Sequence, residues 1–136
     1  MALSGSKCVL LNNSNNFSPV FRCKLNELLE SPNDIINVNV MANLREENAD
    51  AEIVITIESK GKSYYWMSSA LSYCIDKKRE WKKAFFSLRV PKLKSLSDDI
   101  KIYVWNHSGK NIYIDNIEVK ITEGNPIVYG KRQGYN

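Results

Sequence analysis

Residues 100–121 read IKIYVWNHSGKNIYIDNIEVKI, and this stretch decides the fold class. Two segments rich in β-branched and aromatic residues, the types that suit a pleated and half-buried surface, flank a short polar segment. One side of the first segment is aliphatic, and the other side carries two rings and a cation. The aliphatic side consists of Ile100, Ile102 and Val104. The other side consists of Lys101, Tyr103 and Trp105. His-Ser-Gly predicts a hairpin turn between the two strands, because glycine accepts the positive φ of a tight reversal.

The rest of the chain has the same character. Six further strand-like segments are separated by residues typical of turns, and only residues 25–30 and 69–76 look briefly helical. The six segments are residues 7–11, 20–25, 36–40, 52–58, 63–68 and 81–90. Many short strands at regular spacing, with turns between them, predict an all-β sandwich or jelly roll.

The fourth and fifth strands are predicted to form a hairpin around Lys60 and Gly61. If these two residues make the turn, Thr56 lies opposite Tyr65. Tyr65 then faces outward and Trp66 faces the core. A slip of one residue would exchange the two faces.

In the last predicted strand, the alternation of aliphatic and polar residues shifts by one position. Ile112 and Ile114 alternate on one side, whereas Ile117 and the aliphatic residues after it alternate on the other. One extra residue at Asp115 or Asn116 restores a single aliphatic face, so we predict a β-bulge there.

Length and composition bound the class of protein. The chain has 136 residues, of which 43% are hydrophobic and 25% are charged, as expected for one globular domain. No apolar run is long enough to span a bilayer, and the first residues lack the apolar core of a signal peptide. The net charge of +4 is spread along the chain, with its densest patch at residues 77–83. No nucleic-acid-binding signature accompanies that patch, so we expect a solvated surface and no nucleic-acid partner.

The sequence also argues against catalysis. The three cysteines form no disulfide framework, and the single histidine, His107, lies in a predicted turn. The chain has no phosphate-binding glycine loop, nucleophile elbow or zinc spacing. The adjacent acidic pairs at residues 46–47 and 98–99 suit solvated turns better than acid–base work. We therefore expect that the protein is not an enzyme.

The order of motifs resembles the galactose-binding-like jelly rolls, in particular carbohydrate-binding modules of bacterial surface proteins. The similarity rests on Gly-Ser-Lys at residues 5–7, Glu-Trp-Lys at 80–82, the strand end at 86–91, and IYVWN and IYIDNI at 102–106 and 112–117. The resemblance implies an eight-stranded antiparallel jelly-roll β-sandwich over residues 5–123, followed by a polar tail at 124–136. It also implies two sheets, with strand orders one-eight-three-six and two-seven-four-five.

In such domains the outer face of the second sheet often holds the sugar. The resemblance places eight residues of mixed aromatic and charged character on that face. They are Arg22, Lys24, Glu52, Thr56, Glu58, Tyr65, Tyr103 and Trp105. Rings would cover the apolar faces of a sugar, and charged groups would bind its hydroxyls. The alternative is that Trp105 packs beneath a loop, or under Arg22 in a cation–π contact. A second candidate site lies at the loop end of the sandwich and comprises Trp81, Asn106 and His107.

The resemblance further implies a structural calcium ion, with Asp115 as a ligand, and otherwise no cofactor. The leading hypothesis is a non-catalytic carbohydrate-binding module whose partner is a polysaccharide or an oligosaccharide. The alternative is a structural or protein-interaction domain of a larger cell-envelope protein, with other domains of that protein as neighbours. The usual occurrence of the fold favours the cell surface or the periplasm.

Overall fold

The computed structural model describes residues 8–89 and 95–124. These residues form eight β-strands, one short α-helix and one turn of 3₁₀-helix. The strands are β1 Cys8–Leu11, β2 Phe21–Lys24, β3 Ile35–Leu44, β4 Glu52–Ser59, β5 Lys62–Ala70, β6 Trp81–Leu88, β7 Asp99–Trp105 and β8 Ile112–Thr122. The helix α1 spans Leu25–Leu28, and the 3₁₀ turn spans Leu71–Tyr73. Each predicted strand is therefore present, with small differences at its ends.

The described strands assemble into two four-stranded antiparallel sheets. The order in the first sheet is β1-β8-β3-β6, and the order in the second is β2-β7-β4-β5. Both orders are those that the sequence resemblance implies. The chain has the predicted all-β jelly-roll sandwich fold.

The core lies between the sheets and follows from the alternation of aliphatic residues along the strands. In β3 the side chains of Ile36, Val38 and Val40 are at most 1% exposed. The isoleucines of β4 and β7 belong to the other sheet, and they are also at most 1% exposed. In β3 and β7 burial alternates along the strand, so the intervening side chains point to the outer faces of the sandwich. In β4 the outward residues Val54 and Thr56 are buried as well.

The predicted hairpin between β7 and β8 is wrong. The two strands lie in different sheets, and the segment between them crosses from one sheet to the other. Asn106 shapes this crossing, since its side chain accepts a hydrogen bond from the amide of Ser108 at 3.0 Å and donates one to the carbonyl of Lys110 at 2.6 Å. The crossing lets the aliphatic sides of β7 and β8 belong to opposite walls of the same core.

The predicted bulge in β8 is confirmed. Val40 of β3 lies opposite Ile117, and the next residue, Met41, lies opposite Asp115. Asn116 is therefore the extra residue, and its φ of 39° is a left-handed value that asparagine tolerates.

The hairpin at Lys60 and Gly61 is confirmed, but the register beyond it is not. Ser59 pairs with Lys62, and the pairing then shifts between Ile57 and Glu58. The shift leaves one extra residue in β5, at Tyr64, so that Ile57 lies opposite Tyr65 and Thr56 lies opposite Trp66.

This bulge reverses the predicted faces of β5. Trp66 lies on the outer face with 52% of its surface exposed. Tyr65 packs against the hydrophobic core. The predicted outward position of Tyr65 is wrong, and so is the predicted core position of Trp66.

The proposed domain limits at residues 5 and 123 stay predictions. Residues 5–7, the end of the sixth predicted strand at 90–91, and nearly all of the predicted tail lie outside the described residues. Among the described residues, no helix is long and apolar enough to cross a membrane.

Candidate functional site

The outer face of the β2-β7-β4-β5 sheet brings together all but one of the predicted carbohydrate-binding residues. Strand pairing arranges the side chains of this face in rows across the sheet. The rows are Lys24, Asp99, Glu58 and Ser63; Arg22, Lys101, Thr56 and Trp66; Tyr103, Val54 and Ser68; and Trp105, Glu52 and Ala70. Only Tyr65 is missing from the predicted set, and Trp66 stands in its place beside Thr56.

One end of the face carries charged side chains that pair with one another. The ammonium of Lys101 lies 2.8 Å from Oε2 of Glu58, and the guanidinium of Arg22 lies 3.8 Å from Oε1 of the same carboxylate. Asp99 lies 3.6 Å from Arg22 and 3.7 Å from Lys24. The Glu58 side chain is only 13% exposed, so its pairing with Lys101 is shielded from solvent more than an ordinary surface pair.

The other end of the face is aromatic. Phe17, from the loop before β2, stacks nearly parallel to Trp105 with ring centroids 6.3 Å apart. It meets the ring of Tyr103 at a steep angle, with centroids 5.9 Å apart. The loop is fixed by Ser18, whose hydroxyl accepts a hydrogen bond from the Val104 amide at 2.8 Å. Trp105 therefore packs beneath a loop, as one sequence alternative predicted. The other alternative, a cation–π contact from Arg22, is wrong, because ion pairs hold Arg22 two rows away.

His107 supports Trp105 from another side. Its ring meets the Trp105 ring at 65° with centroids 5.2 Å apart, and its Nε2 lies 3.0 Å from a carboxylate oxygen of Glu52. His107 thus belongs to the outer face rather than to a separate loop-end site. Asn106 is 1% exposed and holds the crossing loop, and Trp81 begins β6 in the other sheet. The loop-end site predicted from Trp81, Asn106 and His107 stays a prediction.

A groove of about 440 Å³ runs over this face between two apolar walls. Phe17, Val20 and Tyr103 form one wall, and Trp66 forms the other. Phe17 and Val20 are each 51% exposed, close to the 52% of Trp66. The floor is polar and consists of Thr56, Glu58, Ser63 and Lys101.

Sequence reasoning missed Phe17, Val20 and Trp66 as site residues. Phe17 follows a run of polar residues that predicts only a loop, and no periodicity assigns it to a face. One signal was available: a phenylalanine within a polar loop has no strand or helix of its own to pack in. Such a ring must either cover a neighbouring surface or stay exposed.

A second cavity, of about 370 Å³, lies at the open edge of the sandwich beside β1. Aliphatic and aromatic side chains dominate its lining, and Ser18 and Asn116 provide the polar side chains. The Ser18 hydroxyl already bonds to the carbonyl of Pro19 and the amide of Val104. This cavity therefore offers a polyhydroxylated ligand far fewer partners than the groove does.

Asp115 is the residue through which the resemblance implies a calcium ion. Asp115 is 2% exposed and lies opposite Cys8 and Met41 in the sheet. Within residues 8–89 and 95–124, no group of three or more acidic, cysteine or histidine side chains could hold a metal ion. Calcium takes six to eight oxygen ligands, so Asp115 would supply only part of such a set. The calcium ion stays a prediction of the resemblance.

Comparison with known proteins identifies the class of fold. No protein-family model and no curated protein sequence matches the chain. Among solved structures, it is similar to "Family 16 Carbohydrate Binding Module-2", with 14% identity and a TM-score of 0.51 over 86% of this chain and 78% of the other. It also aligns with "EclA C-terminal domain; sugar-binding protein", with 11% identity and a TM-score of 0.46 over 88% of this chain and 81% of that one. The chain thus has a carbohydrate-binding-module-like fold, and at these identities the likeness concerns the fold alone.

Proposed function

We propose that the protein is a non-catalytic carbohydrate-binding module that holds an oligosaccharide in the groove between Phe17 and Trp66. One observation carries the proposal: half-exposed aromatic rings stand on opposite walls of a groove whose floor is polar. A sugar has the matching chemistry, because its ring presents apolar C–H faces and its edge presents hydroxyls.

The two parts of the groove would contribute differently to binding. The rings of Phe17 and Trp66 would cover the apolar faces of sugar units and remove them from water. Glu58 would accept hydrogen bonds from sugar hydroxyls, and Lys101 would donate them, as charged groups form the stronger hydrogen bonds. Their 2.8 Å ion pair fixes both groups before the ligand arrives, which lowers the entropic cost of binding.

The non-catalytic part of the proposal rests on the same residues. Glu58 is the carboxylate in the groove lining, and it is paired with Lys101 and Arg22. Basic side chains engage both of its oxygens, which suits a fixed binding group better than a free general acid or base. His107 is engaged with Glu52 and packed on Trp105, outside the groove lining.

A second function has one specific observation in its favour. Phe17, Val20 and Trp66 are large apolar side chains, all about half exposed and all at the same groove. Clustered exposed apolar side chains also mark protein-interaction surfaces. The alternative is therefore a protein-interaction domain of a larger cell-envelope protein. In either role the domain would raise the local concentration of the domains attached to it.

The proposal is tested with an immobilised glycan screen of the wild type and two matched variants. Phe17→Ala removes a ring from the groove, and Phe85→Ala removes an equally accessible ring, 60% exposed, from β6 in the other sheet. We expect the wild type and Phe85→Ala to bind the same glycan and Phe17→Ala to lose binding. Circular dichroism shows that all three proteins are folded. Absence of binding to every glycan, or equal binding by both variants, would contradict a sugar site in this groove.

A further inference from the structure

We propose that the ligand is an uncharged oligosaccharide of two or more units that extends from the groove, past Glu58, into an adjoining polar pocket. This inference rests on the proposed function and deepens it. It names a second part of the site and the class of glycan that the site selects.

The polar pocket lies at the charged end of the same sheet face. It has a volume of about 390 Å³ and is formed by the β4–β5 turn and residues 95–99. Glu58 lines both this pocket and the groove, so the two spaces adjoin at this residue. Successive rows on a sheet face are two residues apart along a strand, which is about 6.6 Å. A chain that stacks on Trp66 in the second row needs only one such step to reach the pocket.

The lining of the pocket suits sugar hydroxyls. Ser59, Ser95 and Ser97 contribute hydroxyl groups, each of which can both donate and accept a hydrogen bond. The hydroxyls of Ser95 and Ser97 lie 2.7 Å apart, and the Ser95 hydroxyl also accepts the Ser97 amide at 3.1 Å. Both serines are exposed, so their hydroxyls are accessible to a ligand.

The charges of the face disfavour an anionic ligand. In the described part of the chain, the face and its pocket carry four basic side chains and four carboxylates. They are Arg22, Lys24, Lys60 and Lys101, and Glu52, Glu58, Asp98 and Asp99. Arg22, Lys24 and Lys101 lie within 4 Å of Glu58 or Asp99. A uronate or a sulfate would have to compete with these carboxylates and approach them at close range, whereas a neutral hydroxyl can bond to the pairs as they stand.

The test is isothermal titration calorimetry with neutral gluco-, manno- and galacto-oligosaccharides of one to six units. Oligogalacturonates serve as the charged counterparts of the galacto series. We expect affinity for a neutral series to rise at least tenfold from one unit to four. We also expect less than a twofold change between 0.05 and 0.5 M salt, because no counterion is displaced. Tighter binding of oligogalacturonates with a steep loss in high salt would overturn the uncharged ligand while leaving the proposed function intact. Failure of every sugar to bind would overturn both.

Two variants test the pocket itself. Ser59→Ala/Ser97→Ala removes two hydroxyls, and Ser72→Ala removes an exposed hydroxyl outside the pocket as the matched control. We expect the double variant to bind the four-unit sugar about fivefold or more weakly, as two lost hydrogen bonds imply, and the single unit unchanged. Affinity that is independent of chain length, or a double variant equal to Ser72→Ala, would overturn the extension past Glu58. Glu58→Gln is expected to raise the affinity for oligogalacturonate, because it leaves Lys101 without its closest carboxylate.

Discussion

Replacing Trp66 with alanine tests the groove at the wall that the sequence analysis did not assign to it. Trp66 lies on β5 opposite Thr56 and lines the groove together with Phe17, Val20 and Tyr103. If a sugar unit stacks on this ring, its removal must weaken binding by an amount that follows from the area covered. If the ring merely shields the sheet, its removal must leave affinity unchanged.

The expected magnitude follows from the exposure of the ring. Trp66 is 52% exposed, which for a large aromatic side chain is about 130 Å². A sugar that covers one side of the ring removes about half of that area, or about 65 Å², from water. At about 25 cal/mol per Å², this is about 1.6 kcal/mol, or about fifteenfold in affinity. The buried half of the ring gives an upper bound of about 3 kcal/mol for the loss of folding stability.

The measurement is titration of the best glycan from the screen into wild type and Trp66→Ala, at a temperature where urea unfolding shows both to be fully folded. Phe85→Ala is the control, since it removes an exposed ring from the opposite sheet. A folded Trp66→Ala protein whose affinity lies within twofold of the wild type would refute stacking on this ring. Only the Phe17 side of the groove could then contact a sugar, and a protein-interaction domain would become the better-supported function.

Three further predictions concern stability. Trp105→Ala is expected to lose about 2 kcal/mol in urea unfolding, because Phe17 and His107 pack on its ring, and to change glycan affinity less than Trp66→Ala does. Gly61→Ala is expected to cost about 1 kcal/mol from backbone strain alone, since Gly61 has φ +82° and a β-carbon there meets no atom within 4 Å. Burial raises the pKa of Tyr65 above its ordinary 10.0, so the unfolded chain loses this proton first and stability falls as the pH rises above about 10. Tyr65→Phe is expected to remove that loss and to cost little at pH 7, because among the described residues its buried hydroxyl has no hydrogen-bond partner.

Two bulges show which parts of the fold the sequence could predict. The bulge at Asn116 is visible in the sequence, because aliphatic residues change parity around it and only one register buries them all. The bulge at Tyr64 leaves no such mark. Tyr64, Tyr65 and Trp66 are consecutive rings, so each register places an aromatic side chain in the core and another outside.

Connections between strands were harder to predict than the strands themselves. A polar segment containing glycine is compatible with a hairpin and equally with a crossing between sheets. The strand order implied by the resemblance already separates β7 from β8, and local turn chemistry alone gave the wrong pairing. The position of Phe17 depends on where its loop lies in three dimensions, because a bridge to Trp105 and the Ser18 hydrogen bonds hold it over the sheet. No local propensity contains that information.

The bulge at Tyr64 links the two parts of the proposed site. The hydroxyl of Tyr64 donates a 2.8 Å hydrogen bond to Asp98, which is 7% exposed and lines the polar pocket. The carbonyl of Asp98 in turn accepts the amide of Leu25 at the start of α1. The inserted residue therefore ties β5 to the segment that closes the pocket, and it also turns Trp66 outward into the groove. Without the insertion, strict alternation beyond the turn would place Tyr65 opposite Thr56 on the outer face and Trp66 in the core. The fold is thus specified by alternation along the strands, whereas the chemistry of the candidate site depends on one residue that interrupts it.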